Sequence, residues 1–125
     1  MQPYRNLIVW QKAHALTLDI YHETVAFPRD EVHGITSQMR RASSSIAANI
    51  AEGCGRGSDG ELRQHLQIGM GSATELDYFL LLARDLGMLS DPVYERLMAT
   101  VTEVQKMLSS FIVRLRPEPL TAKSS

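Results

Sequence analysis

Residues 37–58 read SQMRRASSSIAANIAEGCGRGS, and the spacing of their apolar side chains decides how the whole chain is read. Starting from Ile35, the residues Met39, Ala42, Ile46 and Ile50 recur at intervals of 4, 3, 4 and 4. That period places them on one face of an α-helix. Nothing alternates with period two and β-branched residues are few, which excludes a strand. The opposite face is unusual. In place of charges it carries Ser37, Ser44, Ala48 and Ala51, flanked by Arg40, Arg41 and Glu52. Small residues on the back of a helix let another element come close. Glycines at 53, 55 and 57 predict that the helix stops near Gly53.

The segments on either side have the same character. Upstream, a first helix is expected from about residue 7 to about residue 26, with Asn6 as its N-cap and Pro28 beyond its end. Its expected inner stripe is Trp10, Ala13, Thr17, Ile20, Tyr21 and Thr24, leaving Lys12, Asp19 and Glu23 outside. Downstream, Ser58 and Glu61 form an S-x-x-E capping box for a third helix. Leu62, Leu66, Gly69, Ala73, Leu76, Leu80 and Ala83 then follow at intervals of 4, 3, 4, 3, 4 and 3, a sustained heptad. Gly69 on that seam predicts a close helix crossing, and Gly87 suits the position just past the helix end. Ser90 or Asp91 caps a fourth helix with Pro92 in its first turn. Its seam is Leu97, Val101, Val104, Leu108, Phe111 and Leu115.

Four amphipathic helices joined by short connections predict an all-α, antiparallel up-down-up-down four-helix bundle over residues 1–116. Residues 117–125, PEPLTAKSS, have two prolines and no periodicity and read as a disordered tail. At 125 residues, 44% hydrophobic and 22% charged, the chain has the size and composition of one soluble domain. No apolar run approaches the roughly 20 residues that span a bilayer. The N-terminus lacks the order of a signal peptide, so a cytoplasmic location is expected. One cysteine, Cys54, excludes an internal disulfide framework. Net charge is −1, with the most positive segment, residues 34–58, at +2.

The runs SQMRR, SSSIAANIAEG and GRGS, together with WQKA at residues 10–13, FPRDE at 27–31 and GSATELD at 71–77, resemble a known family. It is the family of four-helix bundle proteins encoded in bacterial 23S ribosomal RNA intervening sequences. The resemblance spans roughly residues 5–116 and implies a bacterial source. The family is similar to the accessory variability proteins of diversity-generating retroelements. That likeness implies a ring-like homopentamer and nucleic acid as a ligand, with Arg40, Arg41 and Arg56 at the family's SQ-x-RR and GR positions. This chain departs from the basic character of those relatives, because it is net acidic.

The residues also speak for themselves. Arg40, Arg41 and Arg56 are suited to phosphate contact, with Ser37, Ser43, Ser44 and Ser45 as neighbouring donors. No Lys-Ser/Thr follows the glycines, so this is no Walker A loop. The plainer alternative is structural, since Glu52 precedes Arg56 by four and can pair with it. Asn49 and Glu52 are either a polar site or a satisfied hydrogen-bonding group that fixes packing. With the third-helix seam inward, Ile68, Phe79 and Leu82 gather on another side. Beside the small face that contains Ala48 they predict a homo-oligomer interface. The plainer alternative there is irregular packing within one bundle.

Cys54 lies at a helix end that disfavours a thiolate, with no histidine near it in sequence. His14, His22, His33 and His65 show no i,i+3 or i,i+4 pairing, which argues against a metal site. No cofactor is implied. His33 and His65 are the only candidates for a ribonuclease, and neither has an acid or base partner in the sequence. The expected function is therefore a non-enzymatic, homo-oligomeric bundle that binds RNA or DNA through phosphates, or scaffolds it. A protein–protein adaptor is the alternative, and a small ribonuclease a third reading.

Overall fold

The computed structural model describes residues 3–116. The tail expected at residues 117–125 lies outside them. Helices α1 (Ile8–Thr24), α2 (Ile35–Cys54), α3 (Asp59–Asp85) and α4 (Asp91–Arg114) follow in order, with short 3-10 turns at Tyr4–Asn6 and Arg29–Glu31. Each helix packs on its two neighbours and the diagonal pairs stay apart, which is the expected four-helix bundle. No strand occurs among the described residues.

Three of the four core stripes fall where the spacing put them. Ile35, Met39, Ala42, Ile46 and Ile50 of α2 are buried, as are all seven seam residues of α3. In α4, Leu97, Val101, Val104 and Leu108 are fully buried, while Phe111 and Leu115 pack against the edge of the core. The α3 start is capped by Ser58, whose Oγ accepts the Glu61 amide at 3.2 Å. The reciprocal half of the box is altered, because the Ser58 hydroxyl itself donates to Glu61 Oε1 at 3.1 Å. At the far end Gly87 takes a positive φ of 77°. Its amide bonds to Arg84 O at 2.9 Å and the Met88 amide to Ala83 O at 2.8 Å. This is a Schellman end, which satisfies carbonyls that would otherwise face nothing.

Helix α1 differs from expectation. Its buried stripe is Val9, Ala13, Leu16, Ile20 and Thr24, so the helix is turned away from Trp10 and Tyr21. Tyr21 is exposed, and Trp10 and Thr17 are half-buried on the side facing α2. The two aromatics are held at the rim by polar partners. Trp10 stacks on His14 at 5.0 Å between ring centres, and Tyr21 lies under the Arg40 guanidinium at 4.9 Å. Rims suit aromatic side chains that carry a polar edge. Asn6 does not cap α1; Leu7 stands at that position and offers no side-chain bond. The Gln11 side chain instead donates to Arg5 O at 2.8 Å.

The other flank of α1 faces α4 through charges. Arg96 bonds both Asp19, at 2.9 Å, and Glu23, at 2.6 Å, and Lys12 meets Glu103 at 3.0 Å. The bonds from Asp19 and then Glu23 hold the Arg96 guanidinium above its already high ordinary pKa. Arg96 and Glu103 are exposed and their α1 partners half-buried, so solvent screens the clasp, and it orients α1 against α4 more than it stabilises the fold.

Candidate functional site

Helix α2 presents its core stripe inward, and Ser37, Ser44, Ala48 and Ala51 lie on the opposite, open side. Of the three candidate arginines, only Arg41 stands on this side. Arg40 turns toward α1, where its Nε donates to Thr24 Oγ1 at 2.9 Å and one terminal nitrogen reaches Tyr21 O at 3.4 Å. Arg41 points the other way, toward α3, because successive helical residues are about 100° apart. It is exposed and lines a shallow groove with Gln38, Ser45, Ser72 and Glu75. Arg56 stands past the end of α2, about 22 Å from Arg41 at 1.5 Å per residue. It pairs with Glu52 at 2.9 Å, as the plainer reading had it. Ser44 is not a free donor either, since its hydroxyl bonds back to Arg40 O at 2.9 Å. Helical serines commonly bond back to the preceding turn.

The structure instead brings together a polar ladder between α2 and α3 that runs through residues far apart in sequence. Ser72 Oγ donates to Ser45 Oγ at 2.9 Å, and Asn49 Nδ2 donates to Ser45 O at 2.9 Å. Asn49 Oδ1 then meets His65 Nδ1 at 3.1 Å, and His65 Nε2 lies 3.8 Å from Glu52, the partner of Arg56. Asn49 is thus a satisfied, half-buried group that ties two helices. His65 has the carboxylate and amide partners that the sequence did not reveal. Sequence separation hid them, because Asn49 and His65 meet only once the α2–α3 register is known. The ladder joins the two helices through hydrogen bonds between their own side chains, and it reads as packing specificity.

Cys54 is half-buried on the last turn of α2. Burial pushes its thiol pKa up, which disfavours a nucleophilic thiolate. Among the described residues no group of three His, Cys, Asp or Glu side chains could hold a metal ion. No helix there is long and apolar enough to cross a membrane.

Of the expected interface residues, Ile68 is 49% exposed and Ala48 is exposed. Phe79 and Leu82 are half-buried and packed against the core. A second exposed apolar stripe, not foreseen, runs along α1 through Leu18, Tyr21 and Val25. It follows from the rotation of α1.

One further feature was not signalled by the sequence. Where α1 turns into α2, a cavity of about 470 Å³ opens between the end of α1 and the first turns of α2. Val25, Phe27, Pro28 and Val32 form its apolar wall, and Thr24, Arg29, Thr36 and Arg40 its polar one. Thr36 is 5% exposed, and its Oγ1 is buried with no hydrogen-bond partner. Such an unmade bond costs about 1–3 kcal/mol.

A sequence model of the 23S rRNA-intervening sequence protein family matches residues 5–110. The chain belongs to that family. A crystal structure of a protein of unknown function from the S23 ribosomal protein family of Bacteroides thetaiotaomicron is similar to this 23S rRNA-intervening sequence family member at 27% identity. The match has a TM-score of 0.76 and covers 84% of this chain and 98% of the other. No curated protein sequence matches this family member.

Proposed function

We propose that this chain is a non-enzymatic, homo-oligomeric bundle that contacts the phosphate backbone of RNA or DNA along the open side of α2. The observation that carries this reading is Arg41. It is exposed, makes no ion pair among the described residues, and stands beside the small side chains Ser37, Ser44 and Ala48, with Glu75 of α3 across the groove. A phosphate backbone can approach such a face closely. Arg40 contributes to the field from behind rather than as a contact, and Arg56 is partly neutralised by Glu52. A single arginine on a chain of net charge −1 binds weakly, so the reading needs several copies side by side. Ala48 lies seven residues from Arg41, about 10 Å along α2. An interface built on Ala48 and Ile68 therefore brings arginines of neighbouring copies toward one surface. The family's tie to ribosomal RNA genes and its likeness to ring-forming pentamers support the same picture.

The test is binding of structured RNA and of duplex DNA across a salt series. Affinity should fall steeply with salt. Arg41→Ala should weaken binding at least about tenfold and reduce the salt slope by about 0.9 for each phosphate that is no longer neutralised. Binding that ignores salt or survives Arg41→Ala unchanged would remove this site.

The oligomer is tested by solution mass. Ile68→Asp should dissociate it while the helical signal stays intact, because half of that side chain is already in water. Phe79→Asp is a less clean probe, since Phe79 also packs against the core. If Val25→Asp lowers the mass and Ile68→Asp does not, the interface belongs to the exposed stripe of α1 instead.

A further inference from the structure

The cavity at the turn from α1 to α2 has what a small ligand site requires and what no packing argument explains. It is within the volume range of small-molecule pockets, mostly apolar, with a few convergent polar groups. One of those groups lacks the partner it would be expected to have. The Arg40 guanidinium is half-buried and stacked on Tyr21 with no carboxylate partner among the described residues. Its Nε and one terminal nitrogen are used on Thr24 and Tyr21, and its other terminal nitrogen makes no bond within the protein among the described residues. Arg29 adds a second positive charge on the cavity wall, also without an ion pair among the described residues. Of the two acidic groups in the turn, Asp30 and Glu31, neither lines the cavity, and Glu31 packs its carboxylate against Gly34.

We propose that this cavity binds a small aliphatic carboxylate, its head group on Arg40 and Arg29 and its hydrocarbon against Phe27 and Val32. A carboxylate matches the planar donor edge of a guanidinium. The apolar wall selects for a chain behind the head group. Val25 and Val32, at 76% and 50% exposed, form a mouth that the hydrocarbon of such a ligand covers. The site is independent of the Arg41 surface, so either can fail without the other.

The probe is octanoate, titrated into the full chain while methyl resonances of Val25, Val32 and Thr36 are followed. Saturable binding is expected with a dissociation constant on the order of 0.1–1 mM, as suits ten non-hydrogen atoms in an open pocket. Acetate, which lacks the chain, and octanol, which lacks the charge, should not saturate. Arg40→Gln removes the half-buried charge that faces the head group and should bind octanoate about five- to tenfold more weakly. Arg29→Gln should weaken binding severalfold, and Val32→Asp, at an exposed position, should abolish it. Equal binding of octanol and octanoate, or unchanged binding by Arg40→Gln and Val32→Asp, would overturn the proposal. Octyl phosphate binding more than tenfold tighter than octanoate would overturn the carboxylate assignment.

Discussion

Ile46→Asp abolishes the fold. Ile46 is fully buried at the middle of α2, in the layer shared with α3. Removing its side chain alone costs about 2–5 kcal/mol. The aspartate then stands where no donor or cation faces it. It must either keep a charge in an apolar core or bind a proton at neutral pH, and each route costs several kcal/mol more. A domain of this size has only about 5–15 kcal/mol in total. The expected result is loss of helical circular dichroism and of any cooperative melt. Ala48→Asp, two residues along the same helix, is the control. Ala48 is exposed, so its variant should keep the parent's helical signal. An Ile46→Asp protein that melts like the parent would mean that the apolar stripe of α2 does not face the core.

That contrast also marks what is legible in the sequence. A stripe can be read where one helix carries its own period, as with the seven seam residues of α3. The stripe of α1 is easily misphased, because Trp10 and Tyr21 look like core by size while Val9 and Leu16 draw less weight. Aromatic rings with a polar partner are stable at a rim, and the partners, His14 and Arg40, lie on other turns or another helix. The divergence of Arg40 and Arg41 is in principle visible, since adjacent helical residues cannot share a direction. What no single helix encodes is register between helices. Asn49 with His65, Arg40 with Thr24, and the cavity that isolates Thr36 all depend on how far one helix slides along its neighbour. The polar ladder and the cavity therefore emerge only in three dimensions, whereas the exposure of Arg41 and Ala48 follows from the wheel.

Register also decides a pair of glycine substitutions with opposite expected signs. Gly69 on the α3 seam suggests a close crossing of α2 and α3, but a Cβ there would meet Ile46 O at 3.7 Å and Asn49 Cβ at 3.8 Å, ordinary van der Waals distances. Gly69→Ala should therefore keep the packing and gain helix propensity, raising stability by up to about 1 kcal/mol. Gly53 lies in the last turn of α2, as expected, and is buried where that turn packs closely on α3. A Cβ there would stand 2.9 Å from both His65 Cβ and Leu62 Cδ1 and 3.3 Å from Leu62 O. The Leu62 tip can swing aside; the His65 Cβ and the Leu62 carbonyl move only with α3 itself. Gly53→Ala must push the two helices apart where Asn49 meets His65, and overpacking of this kind costs about 1–3 kcal/mol. Set against the same propensity gain, the net destabilisation should be up to about 2 kcal/mol. Paired thermal melts check both signs. If Gly53→Ala melts as high as Gly69→Ala, the α2–α3 packing yields without cost, and the ladder through His65 does not fix the spacing of the two helices.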